Sequence, residues 1–192
     1  MAIAALRDAA LERLGQVDIL VNNAGIAASA PIARLRLEDW NRIMATNATG
    51  TFLCTQAFLP AMVERGWGRV VNVASVAGKT GAPYISAYAA SKHAVVGFTR
   101  AVAAEVAATG VTVNAVCPGY VETDMAGLAV DRIVEKTDLG PEEARRSLER
   151  MSPQGRIFEP QEVAYQVLAL CDPRAHGVNG QAVVLDGGGL QS

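Results

Sequence analysis

Val17-Asp18-Ile19-Leu20-Val21-Asn22-Asn23-Ala24-Gly25 decides how the chain is read. An almost wholly apolar run of strand length is ended by a polar turn with a glycine. Parallel strands covered by helices on both faces give runs of this kind. The pattern returns at residues 69–74 (RVVNVA) and at 111–116 (VTVNAV), the second cut off by Pro118-Gly119. It returns once more at 182–185, closed by Asp186-Gly187-Gly188.

Helical patterns fill the intervals. Residues 2–14 place Ile3, Leu6, Leu11 and Leu14 on one face. A long pattern over 37–64 runs through Trp40, Ile43, Met44, Phe52 and Leu53, and a bend is expected near Asn47 or Gly50. A second long helix is predicted over about 86–108, with Gly110 as its stop signal. Residues 122–159 read as polar and irregular, with short helical pieces such as PEEARRSLERM, and a helix over about 162–170 is announced by Pro160. Strands alternating with crossover-length helices predict an α/β fold with a parallel sheet. Without repeats, low-complexity tracts or a linker, residues 1–192 form one domain.

Composition narrows the function classes. Of 192 residues, 51% are hydrophobic and 19% charged, with a net charge of −2. Lysines and arginines are scattered, which argues against nucleic-acid binding. The apolar stretches are too short and interrupted to span a membrane. The opening MAIAALRDAALERLG mixes acidic and basic residues at helical spacing, unlike a secretory signal. Cys54, Cys117 and Cys171 are far apart in apolar settings, so buried reduced thiols in a cytoplasmic protein are expected and a metal site is not.

Four residues carry chemistry. Tyr88 and Lys92, in YAASK, stand four apart and so share one face of a helix. A phenol titrates near pH ~10 in water, and a neighbouring ammonium would lower that value towards neutrality. Ser75 follows the run at 69–74, where its hydroxyl could hydrogen-bond a substrate carbonyl. Asn47 lies within the long helical pattern, where an asparagine can also simply bond to its own turn. Tyr84 and Tyr120 read as surface slightly better than as substrate walls. His93 points away from Lys92 and reads as packing or interface.

Asn47, Ser75, Tyr88 and Lys92, with NNAG at 22–25 and PGYVET at 118–123, occur in an order and spacing that resembles the short-chain dehydrogenase/reductase family. The resemblance implies a Rossmann-like doubly wound sheet and hydride transfer between NAD or NADP and a small-molecule carbonyl or alcohol. It makes Tyr88 the general acid/base and Ser75 the hydrogen-bond donor to the substrate oxygen. Lys92 would tune Tyr88 and contact the nicotinamide ribose. Asn47 would bend its helix so that its carbonyl holds a water leading to Lys92. Asn22, Ala24 and Gly25 would brace the sheet and touch adenosine. Pro118, Gly119, Val121 and Thr123 would cradle the nicotinamide.

Family members also begin with about two further βα units of ~30 residues each. These carry the Gly-rich pyrophosphate turn and the residue that reads the ribose. Neither is found here: Gly187-Gly188-Gly189 follows a strand but opens no helix. The expected sheet is therefore N-terminally truncated, with about four strands, and the chain is expected to be a fragment with impaired cofactor binding. Likeness in RVVNVASVAG, PGYVETDM and MSPQGRIFEPQEVA favours a 3-oxoacyl or 3-hydroxyacyl thioester as substrate. The alternative is a non-catalytic relic or oligomerisation partner. Phe52, Phe58 and Met62 on one long helix, with Val95, Val96, Phe98 and Val102 on the other, exceed what one sheet face usually covers. A homo-oligomer, dimer or tetramer, built through these helices is expected.

Overall fold

The computed structural model describes residues 2–190. Its centre is a four-stranded, all-parallel sheet in the order β1-β2-β3-β4: Ile19–Asn22, Gly68–Val73, Val111–Pro118 and Ala182–Leu185. The register aligns Asn22 with Asn72, Val73 with Val116 and Pro118 with Leu185, so the strands finish along one edge. The turn at 22–25, Ser75, Gly119 and Asp186 all leave from that edge, which is where ligands bind in open α/β sheets.

Helices cover both faces. Helix α1 (Ala2–Leu14) precedes β1, and α2 (Leu37–Met44) and α3 (Gly50–Arg65) lie between β1 and β2. Helix α4 (Ser86–Glu105) joins β2 to β3. Phe58 and Met62 of α3 and Val102, Ala103 and Val106 of α4 pack on Val70, Val111 and Val113. The alternate residues Val71 and Val116 face the other way, onto Val167, Leu170 and Cys171 of α7 (Pro160–Cys171). This period-2 division explains why β2 and β3 are mostly apolar and buried at nearly every position, with Arg69, Asn72, Thr112 and Asn114 as buried polar exceptions.

Four expectations need correction. Strand β1 is not covered on both faces: Ile19 and Val21 are 45% and 42% exposed, because they share the α7 face of the sheet but lie beyond α7, at its edge. The apolar side of α1 is likewise largely in solvent at Leu6 and Leu14, and Ala10 is what it packs on the core. The segment 122–159 is more regular than expected as far as residue 149, and the helical piece PEEARRSLERM is borne out. It forms two regular helices, α5 (Asp124–Lys136) and α6 (Pro141–Glu149), packed against each other through apolar positions too few to announce a core. Lastly, Phe58, Met62, Val95, Val96 and Val102 are core rather than interface, since they are buried in clusters with residues of β2 and β3. Phe52 and Leu53 stay exposed, with Phe52 set edge-on to Phe98 at 6.2 Å.

The bend in the long helical pattern falls where expected. Between α2 and α3, residues Ala45–Thr49 form a single π-turn around Asn47. Such a turn widens the helix by one residue and re-aims side chains at its centre. No helix among the described residues is long and apolar enough to cross a membrane. Of the cysteines, Cys117 and Cys171 are buried, Cys54 is half-buried, and all three are free.

Candidate active site

The π-turn turns Asn47 inward. Its side chain is 1% exposed and fully engaged: Oδ1 accepts from the Ile26 N–H at 2.9 Å, and Nδ2 donates to the Ile26 carbonyl and the Ser91 hydroxyl, both at 2.9 Å. Asn47 thus does not bond to its own turn. It clamps the loop after β1 to α4. Gly25, one residue before Ile26, is the point of closest approach, since a Cβ there would lie 3.5 Å from both Asn47 Oδ1 and Lys92 Nζ.

Lys92 is buried, and its ammonium donates to the Val73 carbonyl at 2.8 Å. It has no carboxylate partner among the described residues. Burial therefore lowers its pKa from 10.5 to about 8, a drop the Cys117 thiol slightly opposes. Nζ lies 5.8 Å from the Tyr88 ring centroid, as i,i+4 spacing on α4 requires. Ser75 caps the short 3₁₀ turn Val76–Gly78, its Oγ accepting from the Ala77 N–H at 3.1 Å. The Ser75 hydroxyl has only a long contact to the Pro118 carbonyl, at 3.5 Å, so its proton is available to a better acceptor. The turn fits against α4 because residue 78 is glycine: a Cβ there would meet the Lys92 carbonyl oxygen at 2.7 Å.

Tyr88 behaves differently from the expectation. Burial raises its pKa, the Ser75 side chain beside it pulls the value part of the way back, and Lys92 adds nothing to the balance. The reason is dielectric, because the desolvation of each group favours its neutral form and is the largest effect on both Tyr88 and Lys92. Tyr88 accordingly holds its proton at neutral pH. Tyr120, half-exposed, also acts to raise the Tyr88 value.

The remaining expected residues line the same sheet edge. Asn22 braces the sheet: its Nδ2 donates to Asn72 Oδ1 at 2.8 Å and to Thr55 Oγ1 at 3.2 Å. Ala24 is exposed and makes no side-chain bond. Pro118 ends β3, and the Gly119 N–H donates to the Leu185 carbonyl at 2.9 Å. Val121 forms an isolated bridge to Phe158, and Thr123 is exposed with Oγ1 donating to the Val121 carbonyl at 3.2 Å. Tyr84 is exposed, in left-handed backbone with φ 70°, and its carbonyl accepts from the Ala30 N–H at 2.7 Å. His93 is exposed and bonds within its own helix.

The sequence reading missed the network beneath the site. Thr51 donates to the Asn47 carbonyl, Thr55 to that of Thr51, and Asn72 to Thr99, while Ser91 donates to the Tyr88 carbonyl. The signal was present as a polar stripe, with 47, 51 and 55 on one helix and 91 and 99 on the other, all at four-residue multiples within apolar helices. The residues fit a nicotinamide ribose in one respect that geometry can test. A buried ammonium has three N–H donors, and Lys92 uses one on protein among the described residues, leaving donors for ligand hydroxyls.

Comparison with known proteins gives the family and the fold. The family described as enoyl-(acyl carrier protein) reductase matches residues 1–189. The 3-oxoacyl-(acyl-carrier-protein) reductase FabG of Vibrio cholerae is 40% identical over 187 residues, covering 97% of this chain and 72% of the relative. A D-beta-hydroxybutyrate dehydrogenase of Cupriavidus necator is 41% identical over 175 residues, covering 91% and 68%. Among solved structures, a variant actinorhodin polyketide ketoreductase with NADPH superposes with a TM-score of 0.94 at 45% identity, over 98% of this chain and 74% of that one.

Proposed function

The chain belongs to the short-chain dehydrogenase/reductase family of NAD(P)-dependent oxidoreductases, and on that premise we propose that it interconverts a 3-oxoacyl thioester and its 3-hydroxyacyl counterpart. The names of its relatives support this substrate class, and the observation that carries the chemistry is the buried Lys92 ammonium 5.8 Å from the Tyr88 ring centroid, with Ser75 beside Tyr88 at the same sheet edge. A bound nicotinamide supplies or takes the hydride. Everything else falls to this chain. Ser75 donates from Oγ to the substrate carbonyl oxygen and orients it. Tyr88 gives that oxygen its phenolic proton as negative charge develops there. Lys92 holds the ribose hydroxyls with its spare donors. Val121 and Thr123 bound the nicotinamide carboxamide at the end of β3, and Asn22, Ala24 and Gly25 brace the turn that meets the adenosine side.

The 192 residues hold no strand followed by a Gly-rich turn that opens a helix. Pyrophosphate is normally met by such backbone N–H groups. This piece of sequence therefore binds a dinucleotide weakly and works as the nicotinamide half of a larger site. The exposed Phe52 and Leu53 support assembly as a dimer or tetramer, and three free thiols fit a cytoplasmic setting.

The test is acetoacetyl-thioester reduction with NADPH and with NADH, in a protein carrying these residues behind a Gly-rich βα unit. Tyr88→Phe should lower kcat by about 10²–10⁴-fold with cofactor affinity kept. Lys92→Ala should damage both. A Tyr88→Phe protein with turnover near that of its parent would overturn the assignment.

A further inference from the structure

A charged contact ties the α5–α6 pair to the segment that leaves β3. Arg145 on α6 grips Glu122 with both terminal nitrogens, Nη1 reaching Oε1 at 3.0 Å and Nη2 reaching Oε2. Its Nε donates to Glu149 Oε1 at 3.1 Å, so the guanidinium is held on three sides in a fixed plane. A bidentate contact in a small network is the geometry in which a partly exposed ion pair counts. The Glu122 carboxyl is held below its ordinary range by that guanidinium. Glu122 lies between Val121 and Thr123, and its own N–H donates to the Phe158 carbonyl at 2.8 Å. The backbone at 120–122 is thus fixed on one side by Phe158 and on the other by a side chain reaching from α6.

We propose that Arg145 is a positioning residue: through Glu122 it sets the path of the Val121–Thr123 segment and locks α6 to the end of β3. The proposal rests on the nicotinamide reading only for its consequence, not for the contact. When the pair is broken, α5 and α6 keep Ala126, Ala144 and Leu148 as buried anchors and the thin contact of Arg132 Nη1 with Ser29 Oγ at 3.1 Å. They remain folded but open more often.

Amide hydrogen exchange on the 192-residue protein reads this directly. Glu122→Gln and Arg145→Gln should each speed exchange across 121–149 by about fivefold, the most an exposed pair of good geometry supports. The charge-swapped double variant, Glu122→Arg with Arg145→Glu, combined with Glu149→Gln, which removes the like charge that a glutamate at 145 would face, should recover most of the protection. Exchange unchanged in both single variants would overturn the proposal, as would an equal rise in β2 and β3 peptides, which would mean general destabilisation. Reduced nicotinamide mononucleotide, titrated against the unsubstituted protein by NMR, tests the consequence separately. Shifts at the Val121 and Thr123 amides support it. Their absence would overturn the nicotinamide reading of that segment and leave the exchange result standing.

Discussion

Asn47 donates to the Ser91 hydroxyl at 2.9 Å, and Ser91 passes the contact on to the Tyr88 carbonyl at 2.7 Å. The π-turn and the helix bearing Tyr88 are therefore joined by side chains that see almost no water. Replacing Asn47 with alanine removes this bond and both bonds to Ile26, leaving buried donors and acceptors without partners. A loss of about 3 kcal/mol is expected, at the upper end for a buried group left unsatisfied. Urea unfolding of Asn47→Ala measures it, and a loss below about 1 kcal/mol would show that water replaces the clamp.

The legible parts of this chain were those written in period. β2, β3, β4 and α4 came within a few residues of their true bounds because one hydrophobic repeat dictates each of them. The adjacency of Tyr88 and Lys92 was legible by spacing, and the structure places Ser75 near them at the same sheet edge. Burial was less legible. The run at 17–21 looks the same in sequence whether or not a helix lies over it, so the exposure of Ile19 and Val21 could not be read. The sign of the Tyr88 shift was misread for a related reason, since spacing gives adjacency but not dielectric. α6 was legible as the helical piece PEEARRSLERM, whereas α5 was hidden because it buries only Ala126.

Gly78 offers a test of how tightly Ser75 is set against α4. A methyl group there would sit 2.7 Å from a backbone oxygen, which cannot rotate away. Gly78→Ala should cost about 1–3 kcal/mol by overpacking and should displace the Ser75 turn from Lys92. Gly81→Ala, three residues on in open space, is the control and should be near neutral. Comparable losses in the two variants would mean that backbone freedom, not crowding, explains the glycine.

Lys92 is held charged at neutral pH against its burial. Its folded pKa of about 8 lies below the ordinary 10.5, so the unfolded chain binds the extra proton between those values. Stability then rises with pH across that window on account of this group. Below pH 8 the penalty is present in full, about 3 kcal/mol by order of magnitude. Three cysteines raised by burial act in the opposite sense near pH 9, so the whole-protein profile mixes the two. The comparison with Lys92→Met separates them. Lys92→Met should be the more stable protein at pH 7, and its advantage should shrink as pH rises from 8 to 10. An advantage independent of pH would show that Lys92 is not the titrating group.

The outer edge of β1 has no neighbouring strand among the described residues, and Ile19 and Val21 add exposed apolar surface to it. Strand edges of this kind pair with other chains, and natural proteins block them with charges. Concentration-dependent association of the 192-residue protein is expected, and sedimentation velocity measures it. Val21→Lys should suppress it, because the side chain is 42% exposed and the ammonium can stay in water while the strand remains in register. Two other surfaces compete for the role: Tyr165 and Leu168 on α7, and Phe52 and Leu53 on α3. Leu168→Lys and Phe52→Lys are therefore the informative comparisons. If either suppresses association while Val21→Lys does not, the contact runs through helices and the β1 edge is not where copies meet.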